Sequence, residues 1–305
     1  MKIKIVNWLF IDTCLTNIYG CGGDSSKSTS AQDLIDETLP ELVGTTETGG
    51  TVGILGELTD LGDLVSPEGD HWYFTQPVAS NDSGFIIGQS NRGIPRRAAF
   101  IWTPSTTSMD FLGLYSSCEA NDSEAVDLNS YPEIIWNGCG SAFLWKDGVN
   151  TELMPGVAAD INEKGEVVLT SDGGVYHWNG SELTYVHDGS AVALNENNHV
   201  AINHDGDGTV IYADLNYDPP ITEPLNHLPG ANKTVAVDIN DSAYSNDDDI
   251  QDGHIIGNSG VGSLILNEDD SVQGFFWDGG AMYPVDHLGG GTSVTTDMNN
   301  SDQVV

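Results

Sequence analysis

Positive charge is what this sequence has least of. Nine Lys and Arg stand against 46 Asp and Glu, for a formal net charge of −37. Nucleic-acid binding by phosphate neutralisation needs clustered basic side chains, so that class is excluded. Docking on anionic lipid by charge is excluded for the same reason. Enzyme signatures are missing too. The eight His form no His-Glu-x-x-His or similar metal-enzyme spacing. There is no Gly-x-Ser-x-Gly elbow, Walker loop or dinucleotide fingerprint. With 46 acids, no particular carboxylate pair stands out as the acid and base of a glycosidase. Cysteine is scarce, four in 305 residues.

The N-terminus reads as a targeting segment. Lys2 and Lys4 precede a mostly apolar stretch from Ile5 to Ile18, followed by Ile18-Tyr19-Gly20-Cys21 and a polar run. This resembles a bacterial lipoprotein signal over residues 1–20, with Cys21 as the lipidated residue. Tyr19 is bulkier than that pattern prefers, and Asp12 interrupts the apolar stretch. A plain secretory signal and a misplaced start are the rival readings. The segment is too short and too interrupted for a membrane-spanning helix. Residues 21–50, rich in Gly, Ser, Thr and acids, read as a flexible tether. With Cys14 inside the signal, Cys118 and Cys139 remain as an even pair in an exported chain. Neither flanks a His or second Cys at metal spacing, and a disulfide between them is expected.

What the chain does have is repetition. Ala158–Val168 reads as strand, turn and strand, and relatives of it recur at Ala125, Ala191, Ala236 and Thr295, and more distantly at Val78. In the unit 158–187 the turn Asn162-Glu163-Lys164-Gly165 calls for positive φ at Gly165. Asn179-Gly180 is a hairpin signal. The four short strands are Ala158–Asn162, Glu166–Thr170, Val175–Trp178 and Glu182–Val186. Asn81, Asn129, Asn162, Asn195, Asn240 and Asn299 hold the same turn position, 48, 33, 33, 45 and 59 residues apart. Uneven spacing suits a fixed sheet core with variable loops better than a β-solenoid.

The expected fold is therefore all-β: a β-propeller of four-stranded antiparallel blades over residues 51–305. Residues 52–61 look like a third and fourth strand without a first pair, and 294–305 like a first pair without a third and fourth. Joined, they would complete a sixth blade from both termini and remove the open edges. A fragment of a larger propeller is the alternative. Trp102, Trp145, Trp178 and Trp277 share one place near the end of the third strand, which points to packing between blades.

The units resemble the HAF repeat, a motif assigned to extracellular bacterial proteins. The resemblance is carried by Ala236-Val237-Asp238-Ile239-Asn240-Asp241, Ile255-Ile256-Gly257, Phe275-Phe276-Trp277 and His287-Leu288-Gly289, and by Ala142-Phe143-Leu144-Trp145 and Ala99-Phe100-Ile101-Trp102. The histidine of the motif's name is absent: Ser141, Ala98 and Gly274 stand there. The resemblance implies a surface or secreted location and a propeller-like fold, and no catalytic residue.

One loop departs from its siblings in a chemically suggestive way. Counted from Asn203, oxygen side chains fall at positions 1, 3, 5 and 12 (Asn203, Asp205, Asp207 and Asp214), with Gly208 at position 6 and Val210 at position 8. That is close to a calcium-loop pattern, and is similar to the calcium loops of integrin-type propellers. These four residues are the candidate metal ligands, with calcium as the candidate ion and a solvated acidic turn as the bland reading. Asp247-Asp248-Asp249 with Asp252 is a weaker second acidic candidate. The functional expectation is a non-enzymatic, exported or cell-surface binding module, monomeric, with a carbohydrate or protein ligand and membrane contact only through a lipid anchor. The alternative is a polysaccharide-active propeller hydrolase or lyase.

Overall fold

The computed structural model describes residues 3–4, 61, 74–91, 97–106, 108–112, 123–204, 206–246, 249–261, 272–287, 289 and 291–305. Its strands belong to one of two compact units, that formed by Met1–Val6 and Gly62–Val305. Cys21, Cys118 and Asp205 lie outside the described residues, as do residues 21–50 and 52–60.

The described residues are all-β and form five four-stranded antiparallel meanders, consecutive in strand order except where a separate hairpin interrupts the fifth. Sheet 1 contains β2 (Phe74–Ser80), β3 (Ile86–Asn91), β4 (Arg97–Thr103) and β5 (Ser108–Phe111). A two-residue strand, β1 (Ile3–Lys4), pairs with the free edge of β2. Sheet 2 contains β6 (Ser123–Leu128), β7 (Ile134–Gly138), β8 (Ser141–Lys146) and β9 (Val149–Pro155). Sheet 3 contains β10 (Val157–Ile161), β11 (Val167–Ser171), β12 (Gly174–Trp178) and β13 (Leu183–Asp188). Sheet 4 contains β14 (Ser190–Leu194), β15 (His199–His204), β16 (Thr209–Asp214) and β17 (Ile221–Leu225). Sheet 5 contains β18 (Lys233–Ile239), β21 (Ile255–Gly260), β22 (Val272–Trp277) and β23 (Met282–Pro284). The acidic insertion in its first turn is a hairpin of its own, β19 (Ala243–Asn246) against β20 (Asp249–Asp252). Beyond sheet 5, a Met298–Val304 bridge begins the same hairpin again.

Each first strand carries a β-bulge at one place. The register shifts between Pro77 and Ala79, Ala125 and Asp127, Ala158 and Asp160, Ala191 and Ala193, and Ala236 and Asp238. A bulge adds local twist and re-aims the residues after it. The turn that follows in sheet 3 is a three-residue loop in which Gly165 has φ 77° and its N–H donates to the Asn162 carbonyl. A side chain there would be strained, which accounts for the glycine. At Gly88 and Gly257 the requirement is space instead. A Cβ on Gly257 would lie 2.0 Å from the Val235 carbonyl oxygen and 2.7 Å from the Phe275 ring, and one on Gly88 2.2 Å from the Gln76 carbonyl oxygen. One expectation shifts by a residue: Asn179 pairs with Glu182, so Gly180 and Ser181 are the central turn residues, with Gly180 at φ 92°. Glycine at the first central position suits a tight hairpin turn.

The core lies between the sheets. One cluster joins Ile87 and Phe143 across sheets 1 and 2, a second Ile135 and Leu169 across sheets 2 and 3, a third Val168 and Val200 across sheets 3 and 4, and a fourth Val210 and Phe275 across sheets 4 and 5. Trp277 belongs to one of these clusters and Trp145 and Trp178 pack against two others, while Trp102 is buried without belonging to one. Sheet 4 has no such Trp. There Tyr212 packs against Trp277 of sheet 5, ring centres 5.2 Å apart.

Candidate functional site

The repeated polar residues must be accounted for before any of them can be offered to a ligand. The asparagine ending each first strand plays two parts. Its Oδ1 accepts two main-chain N–H groups of its own turn: Lys164 and Glu166 for Asn162, Asn197 and His199 for Asn195, and likewise in the others. Its Nδ2 donates to the main-chain carbonyl of the next asparagine along the chain. Asn81 reaches Asn129 at 2.9 Å, Asn129 reaches Asn162 at 3.3 Å, and Asn162 reaches Asn195 at 3.5 Å. Asn195 then reaches Asn240 at 3.0 Å, and Asn240 reaches Asn299 at 3.1 Å. A carboxamide is needed because one side chain must accept on one side and donate on the other.

The acids beside these asparagines form a second line. Ser130 N–H donates to Glu163, Glu163 N–H to Glu196, Glu196 N–H to Asp241, and Asp241 N–H to Asn300. A third set lies on the second strands. Asn137 takes the Ala158 N–H at 2.8 Å and donates back to the Ala158 carbonyl, and Asn203 does the same with Ala236, at 2.7 and 3.4 Å. Asp160 accepts the Leu194 N–H at 2.7 Å. Asp160, Glu163 and Glu166, adjacent in sequence, are thus committed to hydrogen bonds that hold sheets and turns.

The three described candidate metal ligands, Asn203, Asp207 and Asp214, are not brought together. Asn203 clasps Ala236 of the next sheet. Asp207 lies in the β15–β16 turn, where its Oδ1 accepts the Thr209 hydroxyl at 2.6 Å and faces His204 Nδ1 at 2.8 Å. Asp214 ends β16, opposite His199 in the ladder whose other end pairs His204 with Thr209. Five strand steps of about 3.3 Å place Asp214 about 17 Å from Thr209. Asp214 instead accepts the N–H and side-chain amide of Asn216, both at 2.9 Å. The physical reason is that a calcium loop curls around its ion, whereas this chain leaves the turn as an extended strand. Among the described residues no three His, Cys, Asp or Glu gather closely enough to hold a metal ion between them. Cys139 is disulfide-bonded, and its expected partner Cys118 is not among the described residues. Cys21 and the Asp247-Asp248 pair are likewise outside them.

In a meander, first-to-second and third-to-fourth turns share one end of each sheet, and second-to-third turns and exits to the next sheet share the other. The asparagine network occupies the first end. The second end carries residues without counterparts in the other sheets, concentrated where sheet 3 meets sheet 4. The His187 and His204 rings lie 5.7 Å apart, centre to centre, at 79°. The Tyr185 hydroxyl donates to Asp188 at 2.8 Å, and the Tyr185 ring meets Tyr176 edge-on at 5.7 Å. Tyr185 is 51% exposed. Asp188 beside the Tyr185 hydroxyl pushes that phenol up. The Thr209 hydroxyl and the His204 ring hold the Asp207 carboxyl well below the usual carboxylate range. An aromatic face, two imidazoles and two carboxylates can bind a polar ligand by stacking and hydrogen bonding. Counting histidines alone does not reveal this group. The sequence signal is that His187 and His204 each stand just before an Asp-Gly pair, Asp188-Gly189 and Asp205-Gly206.

No protein-family model matches the chain, and no curated protein matches it in sequence. Among solved structures it is similar to a mutant of AofleA from Arthrobotrys oligospora, with a TM-score of 0.35 and 8% identity over 69% of this chain and 72% of that one. No residue or role is carried over from that likeness. Among the described residues no helix is long and apolar enough to cross a membrane.

Proposed function

We propose that this protein is an exported β-propeller of the HAF-repeat kind that acts as a non-enzymatic binding module, using the rim where sheets 3 and 4 meet. One observation supports the reading most directly. The polar residues common to the units are engaged in sheet-to-sheet hydrogen bonds, while the non-repeating Tyr185 and Asp207, exposed, and His187 and His204, half-buried, lie toward the opposite end of sheets 3 and 4. Function in a repeat fold resides where the units differ, because what they share builds the scaffold. In this reading Cys118 bridges Cys139, and Cys21 carries the anchor. Any calcium is held by the turn containing Asp205 and Asp207, without Asn203 or Asp214.

The test uses the full chain against immobilised neutral, acidic and cationic polysaccharides, with biolayer interferometry for binding and a reducing-sugar assay for cleavage. Binding without sugar release, lost in Tyr185→Ala combined with His204→Ala and retained in Glu223→Ala on the outer strand β17, supports the reading. Release of reducing ends would overturn it in favour of a hydrolase. Unsaturated product ends would do so in favour of a lyase.

A further inference from the structure

His187 comes from β13 and His204 from β15, so their meeting is decided by the packing of sheet 3 against sheet 4. The hydrogen bonds of the two rings fix which nitrogen carries the proton. His187 Nδ1 lies 2.7 Å from the main-chain carbonyl of Asp188. A carbonyl only accepts, so this Nδ1 donates. His204 Nδ1 lies 2.8 Å from Asp207 Oδ1, which also accepts the Thr209 hydroxyl and N–H. An ionised carboxylate only accepts, so this Nδ1 donates as well. In a neutral imidazole with Nδ1–H, the lone pair is on Nε2. Each ring, in its neutral form, thus presents its lone pair on Nε2, and each makes the Nδ1–H bond to a carbonyl or carboxylate that orients metal-ligating histidines.

We propose that His187 and His204 form a two-histidine site for a borderline divalent transition ion such as Zn²⁺, bound through both Nε2 atoms, with water in the remaining positions. Nitrogen–metal bonds of about 2.1 Å would place the two ring centres about 5 Å apart, against the observed 5.7 Å. The site differs from the expected calcium loop in ligands and in ion, since hard cations prefer oxygen. The buried histidines are unsuited. His177 and His254 keep Nε2 buried without a hydrogen-bond partner, and His199 Nε2 faces Asp214 at 3.6 Å. The chain's net charge of −37 raises the local concentration of cations generally. Water-filled positions on an exposed rim leave the ion free to take a carboxylate, hydroxyl or imidazole from a partner. That would add a coordination point beside the Tyr185 face without depending on which ligand binds there.

The experiment titrates the untagged full chain with Zn²⁺ alone by calorimetry near neutral pH, with imidazole ¹⁵N NMR of the metal-free protein alongside. The expected result is one tightest site per chain. His187→Gln and His204→Gln should each weaken it by more than about tenfold, and Asp207→Ala by roughly tenfold through the lost Nδ1–H acceptor. Excess Ca²⁺ should not compete. Unchanged Zn²⁺ affinity in the His187→Gln/His204→Gln double variant overturns the proposal, as does the lack of a one-to-one site in the wild type. The NMR arm needs no substitution: both rings must be Nδ1–H tautomers before metal is added, and an Nε2–H tautomer at either overturns the site even if a variant fails to fold. Polysaccharide binding that persists with chelator present would leave the binding-module reading standing while this site is judged on Zn²⁺ alone.

Discussion

The side-chain amide of Asn195 donates to the main-chain carbonyl of Asn240, 45 residues further on, at 3.0 Å. Asn195 is almost wholly buried, and its Oδ1 accepts the N–H groups of Asn197 and His199. One residue thus shapes its own turn and ties its sheet to the next. Asn195→Ala removes these bonds and should destabilise by about 2–4 kcal/mol in urea unfolding, at roughly 1 kcal/mol per bond plus the cost of stranded partners. Asn195→Asp is the more telling variant. It keeps the acceptor but turns a second acceptor toward the Asn240 carbonyl, so a loss of about 1–3 kcal/mol is expected. If Asp is tolerated, the sheet-to-sheet bond contributes nothing measurable.

Gly257 tests close packing in place of hydrogen bonding. Its φ is ordinary, so conformational strain is not the issue, but an added Cβ meets the Val235 carbonyl and the Phe275 ring. Gly257→Ala should lower stability by about 1–3 kcal/mol. Gly291→Ala, with nothing near the added Cβ, should change it by less than about 0.5 kcal/mol. Thermal melts of the two single variants decide this, and equal effects would contradict the packing described.

His177 makes stability depend on pH. Burial, which penalises the imidazolium, pushes its pKa down, and the Glu166 carboxylate, 4.0 Å from Nε2, only partly offsets this. The unfolded chain therefore binds the proton more readily than the folded one, and the slope of unfolding free energy with pH is positive in that window. The contribution is fully present above the unfolded value of about 6.5 and is lost as pH falls below it. Melting temperature should fall between neutral and mildly acidic pH, and His177→Gln should flatten that part of the profile. A wild-type slope retained in His177→Gln would place the dependence elsewhere.

The separation of Asp207 from Asp214 predicts how calcium responds to substitution. In calorimetry, Asp214→Asn should leave any calcium binding unchanged, while Asp205→Ala with Asp207→Ala should abolish it. Loss of binding in Asp214→Asn would mean that the two carboxylates do converge.

Much of the fold was legible locally. The order of strands in each unit, the glycine turn at Gly165 and the packing role of Trp277 follow from alternation, turn chemistry and side-chain volume, which act over a few residues. Even the asparagine positions could be lined up. Their partners could not, because the amide of Asn162 meets a carbonyl 33 residues away only once two sheets have stacked. The distance between Asp207 and Asp214 was hidden for a related reason. Spacing along the chain counts oxygens, but whether Asn203 and Asp214 converge depends on whether the segment curls or extends.

The sequence by itself determined that this is an acidic repeat of short antiparallel strands with no enzyme signature, because hydrophobic alternation and turn preference are local properties. Only the tertiary structure decided which polar groups are engaged between sheets and which are not. Asp160, Glu163 and Glu166 look like a site in sequence and are hydrogen-bonded into the scaffold, whereas His187 and His204, unremarked in sequence, meet on the rim. Contact between sheets is a long-range property, fixed by burying the apolar faces of neighbouring sheets against each other, and only then are the side chains at their edges brought within reach.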